Sequence, residues 1–209
     1  MQSAIAALGG GTIEGWSCWD LGAHFGIYSV ALARRAGPLG QVAAFEPNPL
    51  SFARLERHRR MNHLDWLKCY QAAASDKTGR SELVTSGDLG STSTHLLYKG
   101  ESLGESSRPI QIRTLRLDEE VTAGRLRAPR FVKVDVEGHA GAALEGMKET
   151  LAAALPEMII AFHSEDEVER CLAVVGPLGY SWTVIVPPPA NERSMIGGDY
   201  LFVPLAARK

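Results

Sequence analysis

Three groups of residues have types and spacings that could do chemistry. The first is Asp20-Leu21-Gly22-Ala23-His24-Phe25-Gly26. It follows a short apolar run and precedes a helical pattern, so it reads as a strand-to-helix turn. In an open parallel sheet, ligands bind at the carboxyl ends of the strands. Glycines at such a turn let a ligand approach the backbone with no Cβ in the way. The second is Glu46, twenty residues beyond Gly26 and at the end of the next apolar run. A carboxylate there can accept two hydrogen bonds from a ribose diol. The third is Phe131 to Gly138 (FVKVDVEG), which starts as a buried strand and ends in acids. Asp135 and Glu137 alternate with apolar residues, so a continuing extended backbone would aim both the same way. Such a pair can position a cation or take the proton of a substrate hydroxyl. His163, just past the run Met158 to Phe162, is a further candidate base, because imidazole titrates near neutral pH.

A glycine turn with an acid about twenty residues on points to a cofactor containing adenosine. A dinucleotide would bring a pyrophosphate, which seeks helix N–H groups and avoids carboxylates. Here Asp20 stands beside the turn, and Gly22-x-x-x-Gly26 misses the G-x-G-x-x-G spacing. S-adenosylmethionine carries no phosphate; its sulfonium and ammonium groups are attracted by a carboxylate. The charge at the loop therefore favours the methyl donor over a nicotinamide dinucleotide. Bland alternatives stand beside each reading: the glycines serve packing, Asp20 caps the backbone, Glu137 caps the next helix. No metal site is assigned. Asp135 and Glu137 could hold Mg²⁺ only with a third ligand that the sequence does not name.

The elements that must position these groups alternate between short apolar runs and helical stretches, the pattern of an α/β domain. Strands are predicted at 16–21, 41–45, 67–73, 130–135 and 157–162. Helices are predicted at 25–35, 49–62, 140–154 and 165–175. Strands at 180–186 and 200–203, joined by the loop Pro187 to Gly198, are expected to form an antiparallel pair ending an otherwise parallel sheet. Residues 76–117 are polar and rich in Ser, Thr and Gly, with strand-like pieces at 81–85 and 110–115. They read as a hairpin insertion in a single domain spanning 1–209. Acceptor specificity is expected in its loop, Ser86 to Pro109, and in Pro187 to Gly198.

The 209 residues are 45% hydrophobic and 22% charged, which suits a sizeable core rather than a disordered chain. A net charge of −2 removes any general basic character. Arg54, Arg57, Arg59 and Arg60 form a basic run. Without interleaved aromatics they read as the solvated face of a helix, with Leu55 and Met61 on its buried side, so nucleic acid is not the expected partner. Three well-separated cysteines argue for a reducing compartment and against a zinc cluster. The opening residues lack a basic segment before their apolar run, and no stretch is long enough to span a bilayer, so a cytoplasmic, membrane-free protein is expected.

The blocks DLGAHFGIY (20–28), AFEPNP (44–49), TLRLD (114–118) and KVDVEG (133–138) resemble, in order and spacing, the FkbM-type methyltransferases. The resemblance runs from about Trp19 to His163. It implies a Rossmann-like S-adenosylmethionine-dependent methyltransferase fold: a mostly parallel seven-stranded sheet with an antiparallel C-terminal strand and a hairpin insertion. It implies O-methylation of a hydroxyl on a natural product, sugar or other small molecule. By position it implies that Asp20, Gly22, Ala23, His24, Gly26 and Ser29 form the cofactor loop and first helix turn. Glu46 would hold the ribose, Pro47 and Asn48 would lie near the adenine, and Ala73 would line its pocket. Asp135 would face the methionine end and the reacting centre. Read from the residues themselves, Asp135, Glu137 and His163 are the candidate catalytic set. His24 stands where the family usually has Asn, and Ala140 where it often has a further Glu. The alternatives are a nicotinamide-dependent oxidoreductase and a non-catalytic cofactor-binding or partner module. Homo-oligomerisation is compatible with the sequence.

Overall fold

The computed structural model describes residues 12–85, 94–96, 108–190 and 194–205. Most of the loop Ser86 to Pro109 lies outside them. In chain order the elements are β1 (Ser17–Leu21), α1 (Ile27–Ala36), β2 (Gln41–Phe45), α2 (Pro49–Met61), β3 (Leu67–Tyr70), β4 (Ala73–Ala74), β5 (Gly79–Thr85), β6 (Thr94–Leu96) and β7 (Arg108–Leu115). There follow α3 (Leu117–Thr122), β8 (Phe131–Val134), α4 (Ala140–Glu145), α5 (Lys148–Ala154), β9 (Glu157–Ala161), α6 (Glu165–Val175), a 3₁₀ turn (Gly176–Leu178), β10 (Tyr180–Val186) and β11 (Asp199–Pro204).

Seven strands form one sheet in the order β10-β11-β9-β8-β1-β2-β3. Its neighbours from β9 to β3 pair in parallel. β10 and β11 form the expected antiparallel pair at the end of the sheet, and β11, antiparallel also to β9, is the one reversed strand. Side chains alternate across the sheet. Cys18, Val42 and Phe131 pack with Leu32, Ala33 and Leu55 of α1 and α2 on one face. Trp19, Phe45 and Val132 pack with Leu144, Leu151 and Cys171 of the later helices on the other. This buries the central strands on both sides, which is why they read as unbroken apolar runs.

The insertion forms a second sheet, β4-β7-β5-β6. The strand expected over 67–73 is divided. β3 ends at Tyr70, and Ala73–Ala74 leave β2 to pair with Thr114 and Leu115 of β7. The long helix expected over 140–154 is also divided. A Cβ on Gly146 would stand 1.8 Å from the Ser75 carbonyl oxygen, and the Asp118 amide donates to the Gly146 carbonyl at 2.9 Å. The Asp118 carboxylate then accepts from the amides of Glu149 and Thr150 at 3.2 and 2.9 Å, starting α5 afresh. Helix α3 carries the same Asp118 and was not foreseen. In α2, Asn48 Oδ1 accepts from the Leu50 amide at 2.9 Å, and Pro49 opens the helix. Leu55 is buried as expected, but Met61 is exposed, because six residues of helix carry it about 240° around the axis from Leu55.

Candidate active site

The loop after β1 is shaped by two tight contacts. Gly22 has φ +80°, and a Cβ there would lie 1.9 Å from the Asp135 carbonyl oxygen, so the loop is pressed against the end of β8. The amides of Gly22 and Ala23 both donate to the Phe45 carbonyl, at 3.0 and 2.9 Å. Gly26, at φ +86°, begins α1 and faces Leu55. His24 lies between them at φ +50°. His is among the non-glycine residues enriched in that left-handed region.

Glu46 closes this loop onto the end of β2. Its Oε2 accepts from the His24 amide at 2.7 Å and its Oε1 from the Asn48 amide at 2.8 Å. Burial pushes its carboxyl up to about 7, against the pull of those two amides. Each oxygen keeps a second lone pair for a ligand hydroxyl.

A cleft opens between the two sheets. Gly22, His24, Glu46, Pro47, Ala73, Asp135 and Glu137 line it, all of them expected site residues. Phe45, Ala74, Leu83, Val136 and His139 line it as well and were not expected. Leu83 comes from β5, so the insertion supplies part of the wall. Burial lowers His139 to about 4, so its ring is neutral near pH 7. No lysine or arginine lines the cleft among the described residues, whereas Glu46, Asp135 and Glu137 do.

Five expected residues stand behind this surface. Ala23, Gly26 and Asn48 shape the loop and the start of α2 without lining the cleft. Ser29 is fully buried and donates to Asp20 Oδ2 at 2.5 Å. Asp20 is itself fully buried, so the acid that presents charge to the cleft is not the one expected. Burial raises its pKa, opposed by Lys133 and by the Ser29 hydroxyl. Its Oδ1 has no hydrogen-bond partner among the described residues.

Lys133 explains how Asp20 is tolerated. Pairing of β1 with β8 sets Asp20 directly beside Lys133. The buried ammonium donates to Asp135 Oδ2 at 2.8 Å and lies 4.5 Å from the centre of the Tyr28 ring. Burial pulls the Lys133 pKa down, but Asp20 and Asp135 outweigh it and hold the group above its ordinary value. Burial likewise pushes Asp135 up, and Lys133 more than reverses that, so its carboxyl is held low.

The backbone does not continue extended past Asp135; Glu137 sits at φ +42°. The two acids nevertheless converge, on His163. Its Nε2 is 3.5 Å from Asp135 Oδ1 and 3.8 Å from Glu137 Oε2. On its other side Nδ1 is 3.5 Å from Oε2 of Glu167, a fully buried carboxylate. Glu167 also accepts from the amides of His163 at 2.7 Å and Ala140 at 3.0 Å. Burial pulls His163 down, but Glu167, Glu137 and Asp135 together hold its pKa above the ordinary value. Glu167 was missed, although Ser164-x-x-Glu167 is a capping-box spacing and Ser164 does cap α6.

Comparison with known proteins agrees with the resemblance read from the motifs. Over 133 residues the chain is 30% identical to the hexuronic acid methyltransferase AglP of Haloferax volcanii, covering 64% of this chain and 50% of that protein. It is 29% identical over 124 residues to the 2-O-methyltransferase NoeI of Sinorhizobium fredii, covering 54% and 50%. The chain thus spans about half the length of these curated relatives. The crystal structure of an FkbM methyltransferase from Methylobacillus flagellatus superposes with a TM-score of 0.64 at 17% identity, covering 94% of this chain and 45% of that one. Fibrillarin from Aeropyrum pernix, solved with bound S-adenosyl-L-methionine, superposes with a TM-score of 0.54 at 11% identity, covering 96% and 72%. The fold is therefore that of the S-adenosylmethionine-dependent methyltransferases. The methyltransferase FkbM domain model matches residues 20–181, and the chain belongs to that family.

Proposed function

We propose that this chain is an S-adenosylmethionine-dependent O-methyltransferase acting on a hydroxyl of a sugar or similar small molecule. The observation that carries the reading is the charge of the cleft: three carboxylates and no cationic side chain among its described lining residues. That wall suits a sulfonium and opposes a pyrophosphate, so it speaks against the nicotinamide alternative. The activities of the two relatives, a hexuronic acid methyltransferase and a 2-O-methyltransferase, support a carbohydrate acceptor.

When bound, S-adenosylmethionine supplies a methyl group on a cationic sulfur. Glu46 is placed to accept both ribose hydroxyls, while Phe45, Ala73 and Leu83 offer an apolar wall to the adenine. Asp135 and Glu137 face the cationic end. With His163 they position the acceptor hydroxyl and receive its proton. Asp20 holds the loop from behind through Ser29. The chain works as one domain, with the insertion completing the cleft wall through Leu83. Its buried or half-buried, unpaired cysteines suit the cytoplasm. Among the described residues no helix is long and apolar enough to cross a membrane.

Calorimetric titration with S-adenosylmethionine and with NADH is the direct test. Binding of the first alone, with a methyl-sized mass gain on a uronic acid glycoside, is expected. Binding of NADH alone would overturn the proposal.

A further inference from the structure

We infer that Arg80 and Arg113 form a binding site for an oxyanion, a phosphate or carboxylate group, next to the cofactor cleft and separate from it. The register of β5 with β7 sets these two residues directly opposite each other. Such partners have Cβ atoms about 4.5–5.5 Å apart on one face of the sheet, and like charges there repel. Among the described residues neither guanidinium takes part in an ion pair or a side-chain hydrogen bond. The field of Arg113 reaches Glu120, but Arg125 already holds both oxygens of that acid, at 2.7 and 2.8 Å. Glu82, two residues beyond Arg80 along β5, stands opposite Gln111 and lies outside the pocket that the arginines line.

That pocket has a volume of about 310 Å³. It exists because β4 pairs with β7 only at Thr114 and Leu115. Earlier along β7 the same edge has no strand beside it, and Pro47 and Pro49 stand across the gap. Neither proline has an N–H with which to close it as a further rung. Gln71 and Gln111 add carboxamide donors to the lining, and no carboxylate lines it among the described residues. A guanidinium presents a planar fork of N–H groups that matches a phosphate or carboxylate. An anion between two such forks converts their repulsion into a shared attraction.

The polarity of this pocket is the reverse of the cleft's, whose described lining holds three carboxylates and no cationic side chain. Pro47 lines both, so the two share a wall and opposite charges are sorted to its two sides. The anion has two sources: a free ion, or a charged group on a carbohydrate acceptor. Only the second source rests on the methyl-transfer reading.

The test is calorimetric titration of the whole chain, without S-adenosylmethionine, with inorganic phosphate and with a uronic acid glycoside. One saturable site is expected in the wild type for at least one probe. Arg80→Gln and Arg113→Gln should each weaken it at least tenfold. Arg57→Gln, an equally exposed arginine on α2, should leave it unchanged. Both pocket arginines are exposed, so the variants should melt no lower than wild type without anion and lose the rise in Tm that the anion produces. No saturable binding of either probe, or equal binding by wild type and both pocket variants, overturns the inference. So does an equal loss in Arg57→Gln, the mark of general charge attraction. Methyl-transfer kinetics separate the two sources. A KM for the glycoside raised in the pocket variants at constant kcat supports an anion carried by the acceptor; an unchanged KM with phosphate binding lost supports a free ion. Anion binding that the variants lose, in a protein that ignores S-adenosylmethionine, supports the site and sinks the methyltransferase reading instead.

Discussion

Replacing Glu46 by Gln should weaken cofactor binding while strengthening the fold. Burial raises the carboxyl from 4.5 to about 7, so keeping it ionised well above that pH costs the folded protein about 3 kcal/mol. The folded state holds this proton more tightly than the unfolded chain does. Stability from this group is therefore fully present below about pH 4.5, falls as pH rises towards 7, and is flat above. Gln mimics the neutral acid, but its NH₂ must face one of the two amides now bound, those of His24 and Asn48, which takes back roughly 1 kcal/mol. The variant should thus be about 2 kcal/mol more stable than wild type at pH 8 and no more stable near pH 5. Its affinity for S-adenosylmethionine should fall at least about tenfold, because a hydrogen bond to a charged partner contributes roughly 1.5–3 kcal/mol. Urea unfolding at both pH values and calorimetry at pH 8 measure the two effects. A variant that is less stable at pH 8 yet binds the cofactor as wild type does would refute the reasoning and reduce Glu46 to a loop clamp.

Gly22→Ala should cost about 2–5 kcal/mol, since the new methyl meets the Asp135 carbonyl and the backbone is left-handed. Gly15→Ala, at φ +76° with open space around it, is the control and should cost only about 1–2 kcal/mol in the same urea titration. Lys133→Met should cost about 3–5 kcal/mol by leaving Asp20 and Asp135 without their shared cation. Adding Asp20→Asn should recover part of that loss, and strictly additive effects in the double-mutant cycle would refute the coupling.

Much of the frame was legible because its signals are local. The apolar runs of β1, β2 and β8 mark strands covered on both faces, and Asn48-Pro49 announces the start of α2. Glu46 and the Asp135–Glu137 pair could be picked out because they end such runs. What was not legible depends on partners far along the chain. The break between α4 and α5 comes from Ser75 and Asp118, and within 140–154 only Gly146 marks the place where they approach. The burial of Asp20 follows from the register that sets it beside Lys133, more than a hundred residues later. Glu167 was visible as a helix-capping residue, but its reach across to the Ala140 amide requires α6 and α4 to be side by side.

The two-residue strand Ala73–Ala74 has an engineering consequence. It leaves the edge of one sheet to join the other, and its pairing with Thr114 and Leu115 is where the insertion is spliced onto the main sheet. A transplant of residues 79–113 from another member of the family therefore has a natural seam. If those two backbone pairings are kept in register and Leu83, which lines the cleft, is retained, the graft leaves the wall of the donor pocket in place.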